Sequence, residues 1–320
     1  MTASEPAGDA PRRPRVTIFG PNPLLTVTIE AREEGRDDVH VHPGGQGVWV
    51  SRMASELGAH PILCQLIGGE TGAVLEPLLE RLPGERRSVR TAAGSGCYVH
   101  DRRSGERVLL SAAWSDPPSR HELDDLFSLT TAAALESDVL VVCNPFPNDS
   151  LPLEVYGNLV EDVRSNGTPV LTDLSSPRLD SALEGRPDLV KVNDWELAGY
   201  VYGPIAEPAE LRAAAERVRD AGAGIVVVTR GADPAFVLKG DEAFELVPPR
   251  FERGSREGCG DSMMGGIAAA WAEGRDWKEA LIQGAAAGAA NFLRHGLGTG
   301  SRTVVEELVP QVELRPSTGR

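Results

Sequence analysis

The 320-residue sequence has few cysteines and is short of positive charge. Its four cysteines, Cys64, Cys97, Cys143 and Cys259, lie far apart and form no CxxC pair. That spacing argues against a disulfide framework or a zinc site. It fits reduced thiols in a cytoplasm. The formal net charge is -15. Such a surface repels nucleic-acid phosphates and anionic lipid, so neither is expected as a partner. A locally positive pocket would still admit a phosphorylated substrate. No apolar run reaches membrane-spanning length. Residues 1–14 lack the apolar stretch of a signal peptide and read as a disordered tail; residues 316–320 read as a frayed end. There is no Gly-x-x-x-x-Gly-Lys-Ser/Thr, which argues against a P-loop kinase. No Gly-x-Gly-x-x-Gly follows the first strand, which argues against a dinucleotide-dependent dehydrogenase. The six histidines show no metal spacing, and His40 and His42 read as lid or surface residues.

What is present is an ordinary globular composition, 41% apolar and 25% charged. Short, β-branched apolar runs at 16–19, 62–67, 139–143, 170–173, 189–192 and 225–229 read as strands buried on both faces. Helical patterns lie between them, at 47–57, 71–81, 120–135, 153–165, 195–202 and 209–221. This alternation predicts an α/β fold with a doubly wound, mainly parallel sheet flanked by helices. Two stretches break the rhythm. Residues 24–42 and 95–112 alternate apolar and polar side chains and read as antiparallel strands. Together they predict a small β-sheet lid over a ligand cleft. Strands near 235–239 and 244–247 are followed by two Ala- and Gly-rich helical segments, about 261–273 and 277–293.

The segment from Gly258 to Gly266 is the most informative, with Gly258, Cys259 and Gly260 preceding Asp261 at a helix start. Glycines let backbone N–H groups approach a ligand closely, and a helix N-terminus favours an anion. A carboxylate there can take a proton from an alcohol. The same pattern also fits a plain helix start with Asp261 as capping residue. From this segment alone both readings stand.

Several ordered motifs turn the balance. Pro43-Gly44-Gly45-Gln46-Gly47-Val48-Trp49-Val50-Ser51-Arg52 leads into a helix, and Gly68-Gly69-Glu70-Thr71-Gly72 follows the next strand. Asn193-Asp194-Trp195-Glu196, Thr229-Arg230-Gly231, Gly258–Asp261 and His295–Gly300 come later, in that order. From about Val16 to Val309 the chain resembles the PfkB family of carbohydrate kinases, in its phosphofructokinase-like branch. The resemblance implies a ribokinase-like kinase domain over 15–315, using ATP and Mg²⁺. It implies Asp261 as base, with the amides of Gly258, Cys259 and Gly260 as an anion hole. Asn193 and Glu196 would organise Mg²⁺ through water. Asn193, Thr229, Gly231 and Asn291 would line the nucleotide. Two of these assignments have structural alternatives: Asn193 and Glu196 match a capping box, and Asn291 matches a buried hydrogen-bonding residue in an Ala-rich helix. A homodimer through the lid is also implied.

The departures gather on the substrate side, where the resemblance places Asn22, Thr26, Gly44, Gly45, Gln46, Trp49 and Arg52. Thr26 stands where the branch has a sugar-binding carboxylate, and it cannot accept two strong hydrogen bonds as an ionised Asp does. Gln46 is neutral where a lysine is usual. Trp49 replaces an Asn and brings either a stacking face or a core side chain. If a substrate phosphate is still held, Arg52, Arg102, Arg103 and Arg107 are the candidate cations, although charged hairpin tips such as Arg102 and Arg103 are usually just solvated. The expected reaction is transfer of the ATP γ-phosphoryl group to a hydroxyl of a sugar or sugar phosphate. Two rival readings remain: phosphorylation of a nucleoside or another ring-bearing alcohol, and a catalytically weak sugar- or nucleotide-binding regulator.

Overall fold

A computed structural model describes residues 12–32, 35–145, 150–294 and 300–317. In chain order its elements begin with β1 (Arg15–Phe19), β2 (Leu24–Ala31), β3 (Asp37–Gly44), α1 (Gln46–Glu56), β4 (His60–Gly68) and α2 (Gly69–Glu80). Then come β5 (Glu85–Thr91), β6 (Gly96–Asp101), β7 (Val108–Ala113), α3 (Arg120–Leu135), β8 (Val139–Cys143) and α4 (Glu154–Ser165). β9 (Val170–Asp173), α5 (Arg178–Glu184), β10 (Leu189–Asn193), α6 (Asp194–Val201), α7 (Pro208–Asp220) and β11 (Ile225–Arg230) follow. The last third holds β12 (Asp233–Lys239), β13 (Glu242–Val247), α8 (Cys259–Ala272), α9 (Trp277–Phe292), α10 (Arg302–Leu308) and β14 (Glu313–Pro316).

Ten strands form one sheet in the order β14-β13-β12-β11-β10-β9-β8-β1-β4-β5. From β11 to β5 every pairing is parallel, and β12, β13 and β14 add an antiparallel edge. The central strands are the continuous apolar runs of the sequence. Val139–Cys143 is buried at all five positions, because helices cover both faces. One helical layer packs α8 between α1 and α9, with Met264, Ile267 and Ala287 at 0% exposure. Small residues allow that contact: a Cβ on Gly266 would lie 2.8 Å from Ala287 Cβ. The opposite layer is built on Tyr156, Leu159 and Leu183.

The second sheet has four strands, β3-β2-β6-β7. Its phase is set by pairing: Thr26 lies opposite His42 on one side and Tyr98 on the other, and Thr28 lies opposite His40 and His100. Those residues share the inner face, towards the cleft. The outer face carries Val39 and Val41, both exposed.

Four elements were absent from the sequence expectation. β5 reads Glu-Arg-Arg-Ser-Val-Arg-Thr and is an edge strand, so charge conceals it. α5, α10 and β14 are too short for periodicity to register. The expected tails need correction where they are described. Pro14 accepts a backbone hydrogen bond from His60 at 2.7 Å and Arg12 pairs with Asp138 at 2.6 Å. Pro316 belongs to β14, paired with Phe244. These backbone groups find sheet partners, which holds them in place. Residues 1–11 and 318–320 lie outside the described residues, as does the His295–Gly300 motif apart from Gly300.

Candidate active site

The site lies at the carboxyl ends of the parallel strands, near β1, where the strand order reverses direction. Gly258 takes a left-handed conformation, φ 74°, and starts α8 with no side-chain cap. The first intrahelical bond runs from Ser262 N–H to Gly258 O at 2.9 Å. Gly260 and Asp261 therefore sit in the first turn, where helix N–H groups lack intrahelical acceptors. The Cys259 N–H is engaged, donating to Arg256 O at 3.3 Å. Of the three amides expected, that of Cys259 is thus engaged within the turn. Gly258, not Asp261, is the capping residue of α8. The Asp261 carboxyl lies in the field of Asp173, Lys191 and Glu196, near Gln46.

That neighbourhood is electrostatically unusual. Lys191, mid-strand in β10, pairs with Asp173 at the end of β9 at 2.7 Å. Burial alone would lower the lysine's pKa, but Asp173 raises it above its ordinary value. Desolvation, then the Asp173 charge, pushes Asp261 up to about 7, with Lys191 and a hydrogen bond from Gln46 opposing. Glu196 is raised by burial and then by Asp173. A carboxylate poised near neutral pH is matched to general-base work.

Asn193 and Glu196 form a full capping box on α6. Asn193 Oδ1 accepts from Glu196 N–H at 2.8 Å, and Glu196 Oε2 accepts from Asn193 N–H at 2.9 Å. The box uses one carboxylate oxygen and leaves Oε1 available. Among the described residues no three His, Cys, Asp or Glu side chains converge on a metal position. Three carboxylates, Asp173, Glu196 and Asp261, nonetheless surround one lysine. That surplus of negative oxygen donors fits a Mg²⁺ ion held through water and phosphate, since Mg²⁺ prefers oxygen and dehydrates reluctantly.

Thr229 lies beside Asn193 across the β10–β11 pairing, and its hydroxyl donates to Val192 O at 3.4 Å. Gly231 has φ 62° and open space at its Cβ position. Asn291, 1% exposed on α9, donates to Glu257 O at 2.8 Å and reaches Cys259 Sγ at 3.6 Å. It braces the glycine turn.

On the acceptor side, Gly45 has φ 98°, a conformation suited to glycine. Gly44 lies against Thr26, and Asn22 donates to Ser150 Oγ at 2.7 Å. Gln46 Oε1 accepts from Asn144 N–H at 2.6 Å. Trp49 is 5% exposed and belongs to the core. Its ring packs 5.7 Å from His42, with the Arg52 guanidinium 5.1 Å from its centroid. Arg107 donates to His100 Nε2 at 2.7 Å. Burial and Arg107 hold His100 down to about 4, so it is neutral. His42 feels both Arg52 and Arg107, and Glu257 feels Arg107 and Arg102. Arg103 pairs with Asp101 and Asp37 at the exposed tip, away from the cleft.

Sequence reasoning missed Asp173, Lys191, His42 and His100. Lys191 stands two residues before Asn193, and Asp173 ends a predicted strand. The two histidines share the alternation phase of Thr26, which is the signal that marks them.

Residues 26–304 match the model of the pfkB family carbohydrate kinases. The chain is 30% identical over 261 residues to the ATP-dependent 6-phosphofructokinase isozyme 2 of Escherichia coli strain K12, spanning 79% of this chain and 82% of that protein. It is 30% identical over 250 residues to the 1-phosphofructokinase of Rhodobacter capsulatus, spanning 75% and 76%. The crystal structure of phosphofructokinase-2 from Escherichia coli in complex with potassium superposes with a TM-score of 0.80 at 26% identity, covering 93% of this chain and 98% of that one.

Proposed function

Starting from the fact that this chain belongs to the pfkB family of carbohydrate kinases, in its phosphofructokinase-like branch, we propose that it moves the γ-phosphoryl group of ATP to a hydroxyl of a phosphorylated sugar. The family makes it a phosphotransferase with an alcohol group as acceptor. The finer reading rests on one observation. Arg52 and Arg107 both lie near His42, and neither forms an ion pair among the described residues. Cations with no direct ion pair to neutralise them suit an anionic group on the acceptor.

In this reading the acceptor hydroxyl lies against Asp261. The carboxylate takes its proton as the oxygen attacks the γ-phosphorus, and ADP leaves. The amides of Gly260 and Asp261, with the positive end of α8, stabilise charge on the moving group. Mg²⁺, when bound with the nucleotide, supplies positive charge beside the phosphates. Asn193 and Glu196 would hold it through water. Thr229 and Gly231 flank the nucleotide, and Asn291 keeps the turn in place. The lid's outer face exposes Val39, Val41 and Val108. An apolar sheet face of this kind supports a homodimer through the lid.

The test is ADP release with Mg-ATP across a panel of acceptors, with Asp261→Asn as control. The panel holds fructose 6-phosphate, fructose 1-phosphate, tagatose 6-phosphate, free hexoses, ribose and nucleosides. Turnover on a phosphorylated sugar, lost in the control, is expected. Turnover on nucleosides or unphosphorylated sugars alone would overturn the anionic acceptor. Silence on every acceptor, with ATP still bound, would favour a regulator.

A further inference from the structure

The tautomer of His100 is fixed by its neighbour. Arg107 Nη2 lies 2.7 Å from His100 Nε2. A guanidinium carries only donors, so Nε2 accepts and the ring proton sits on Nδ1. Burial, then Arg107, keeps a second proton off the ring at neutral pH. The Nδ1–H has no hydrogen-bond partner among the described residues and is shielded from solvent. The whole residue is 6% exposed. His42, on β3 of the same sheet, shows the contrast. Its Nδ1 donates to Pro43 O at 3.3 Å, and its Nε2 accepts from the Thr28 hydroxyl at 3.5 Å.

A buried N–H without an acceptor is costly and uncommon in native proteins. Water does not reach this one, so its acceptor has to arrive within a bound molecule. Lids open and close over their clefts, which gives such a molecule its way in. We propose that His100 binds the anionic group of the acceptor: Arg107 holds the ring in its Nδ1–H form, and that N–H donates to a phosphate oxygen. His100 lies opposite Thr28, two residues along from the Thr26–Tyr98 pair, so it shares the face of Thr26. An anion is favoured over a sugar hydroxyl by the company His100 keeps. The Arg107 guanidinium has further N–H groups beyond the one given to His100. A phosphate accepts several donors at once, and a neutral imidazole N–H adds one without adding charge. The carboxylate felt here is Glu257, which acts on Arg107 through space and accepts the Ser255 hydroxyl. Arg107 is thus a positioning residue for His100 as well as a cation. The phosphate contact rests on the phosphorylated-sugar reading; the tautomer and the unpartnered N–H do not.

The experiment is a long-range ¹H–¹⁵N correlation spectrum of the full chain labelled at histidine, with the His100 signals identified by their loss in His100→Asn. Near neutral pH His100 should show the Nδ1–H pattern, and Arg107→Met should release it towards the Nε2–H pattern. The Nε2–H pattern in the wild type, or an unchanged pattern in Arg107→Met, would overturn the proposal. Fructose 6-phosphate, fructose 1-phosphate and inorganic phosphate are then added in turn. At least one should shift the Nδ1 signal, and fructose should not. An equal shift from fructose would give the N–H to a sugar hydroxyl, and no shift from any would leave it without a ligand; either result sinks the phosphate contact. In His100→Leu, KM for the phosphorylated acceptor should rise about 10-fold, the worth of one hydrogen bond to a charged group. His100→Asn keeps an N–H near the Nδ1 position and should recover most of that loss. A KM unmoved in His100→Leu counts against the contact. If a sugar phosphate shifts Nδ1 but receives no phosphoryl group, the His100 contact stands and the kinase reading fails for that acceptor.

Discussion

Lys191 Nζ lies 2.7 Å from Asp173 Oδ2, and each side chain is only 5% exposed. Removing one partner of such a pair strands the other charge. Lys191→Met should therefore destabilise the fold by about 3–5 kcal/mol, read from urea unfolding. It should also raise Asp261 further, because Lys191 opposes the push from Asp173. Unfolding free energy equal to that of the wild type would mean that the pair is solvated.

Asp261→Asn should lower turnover by about 10²–10⁴, the usual contribution of a general base. ATP binding, followed by calorimetry, should persist, because Asn193, Thr229 and Gly231 are untouched.

The same variant should change stability with pH in a defined direction. The Asp261 carboxyl stands at about 7 in the fold, against an ordinary 3.8. Between those values the folded state holds one proton more than the unfolded state. Stability contributed by this group is present below the lower value and lost as pH rises through the upper one. Asp261→Asn should thus melt a few degrees above the wild type at pH 8, and close to it at pH 4. Equal melting temperatures at both pH values would mean that the carboxyl is not raised.

Arg52 and Arg107 separate binding from chemistry. Arg52→Met or Arg107→Gln should raise KM for a phosphorylated acceptor by about 10- to 100-fold with kcat little changed, the worth of one charged hydrogen bond. Arg103→Gln, at the exposed lid tip, should leave both constants alone.

A charge on the lid's outer face tests its partner. Val41→Glu with Val108→Glu should convert the proposed lid homodimer to a monomer in sedimentation, since Val41 and Val108 are about half exposed. A wild-type chain that sediments as a monomer would refute the lid dimer.

Much of this architecture was legible in the chain. Val139–Cys143 and Val170–Asp173 were bounded correctly because strands buried on both faces need unbroken apolar runs. Arg120–Leu135 was legible from its periodicity, and Ser119 and Glu122 close a capping box at its start. β5 was hidden because an edge strand tolerates charge on most of its length. Trp49 could be read in two ways, and only packing placed it in the core with Arg52 over its ring.

The sequence by itself determined the alternation of strand and helix, the two-part lid and the glycine turn that carries Asp261. Those properties depend on neighbours within a few residues. What the tertiary structure decided is the field around that carboxyl. Gln46, Asp173, Lys191 and Glu196 reach it from α1, β9, β10 and α6. A carboxyl's proton affinity is set by charges and desolvation through space, and periodicity along the chain carries no record of which ends of which strands meet.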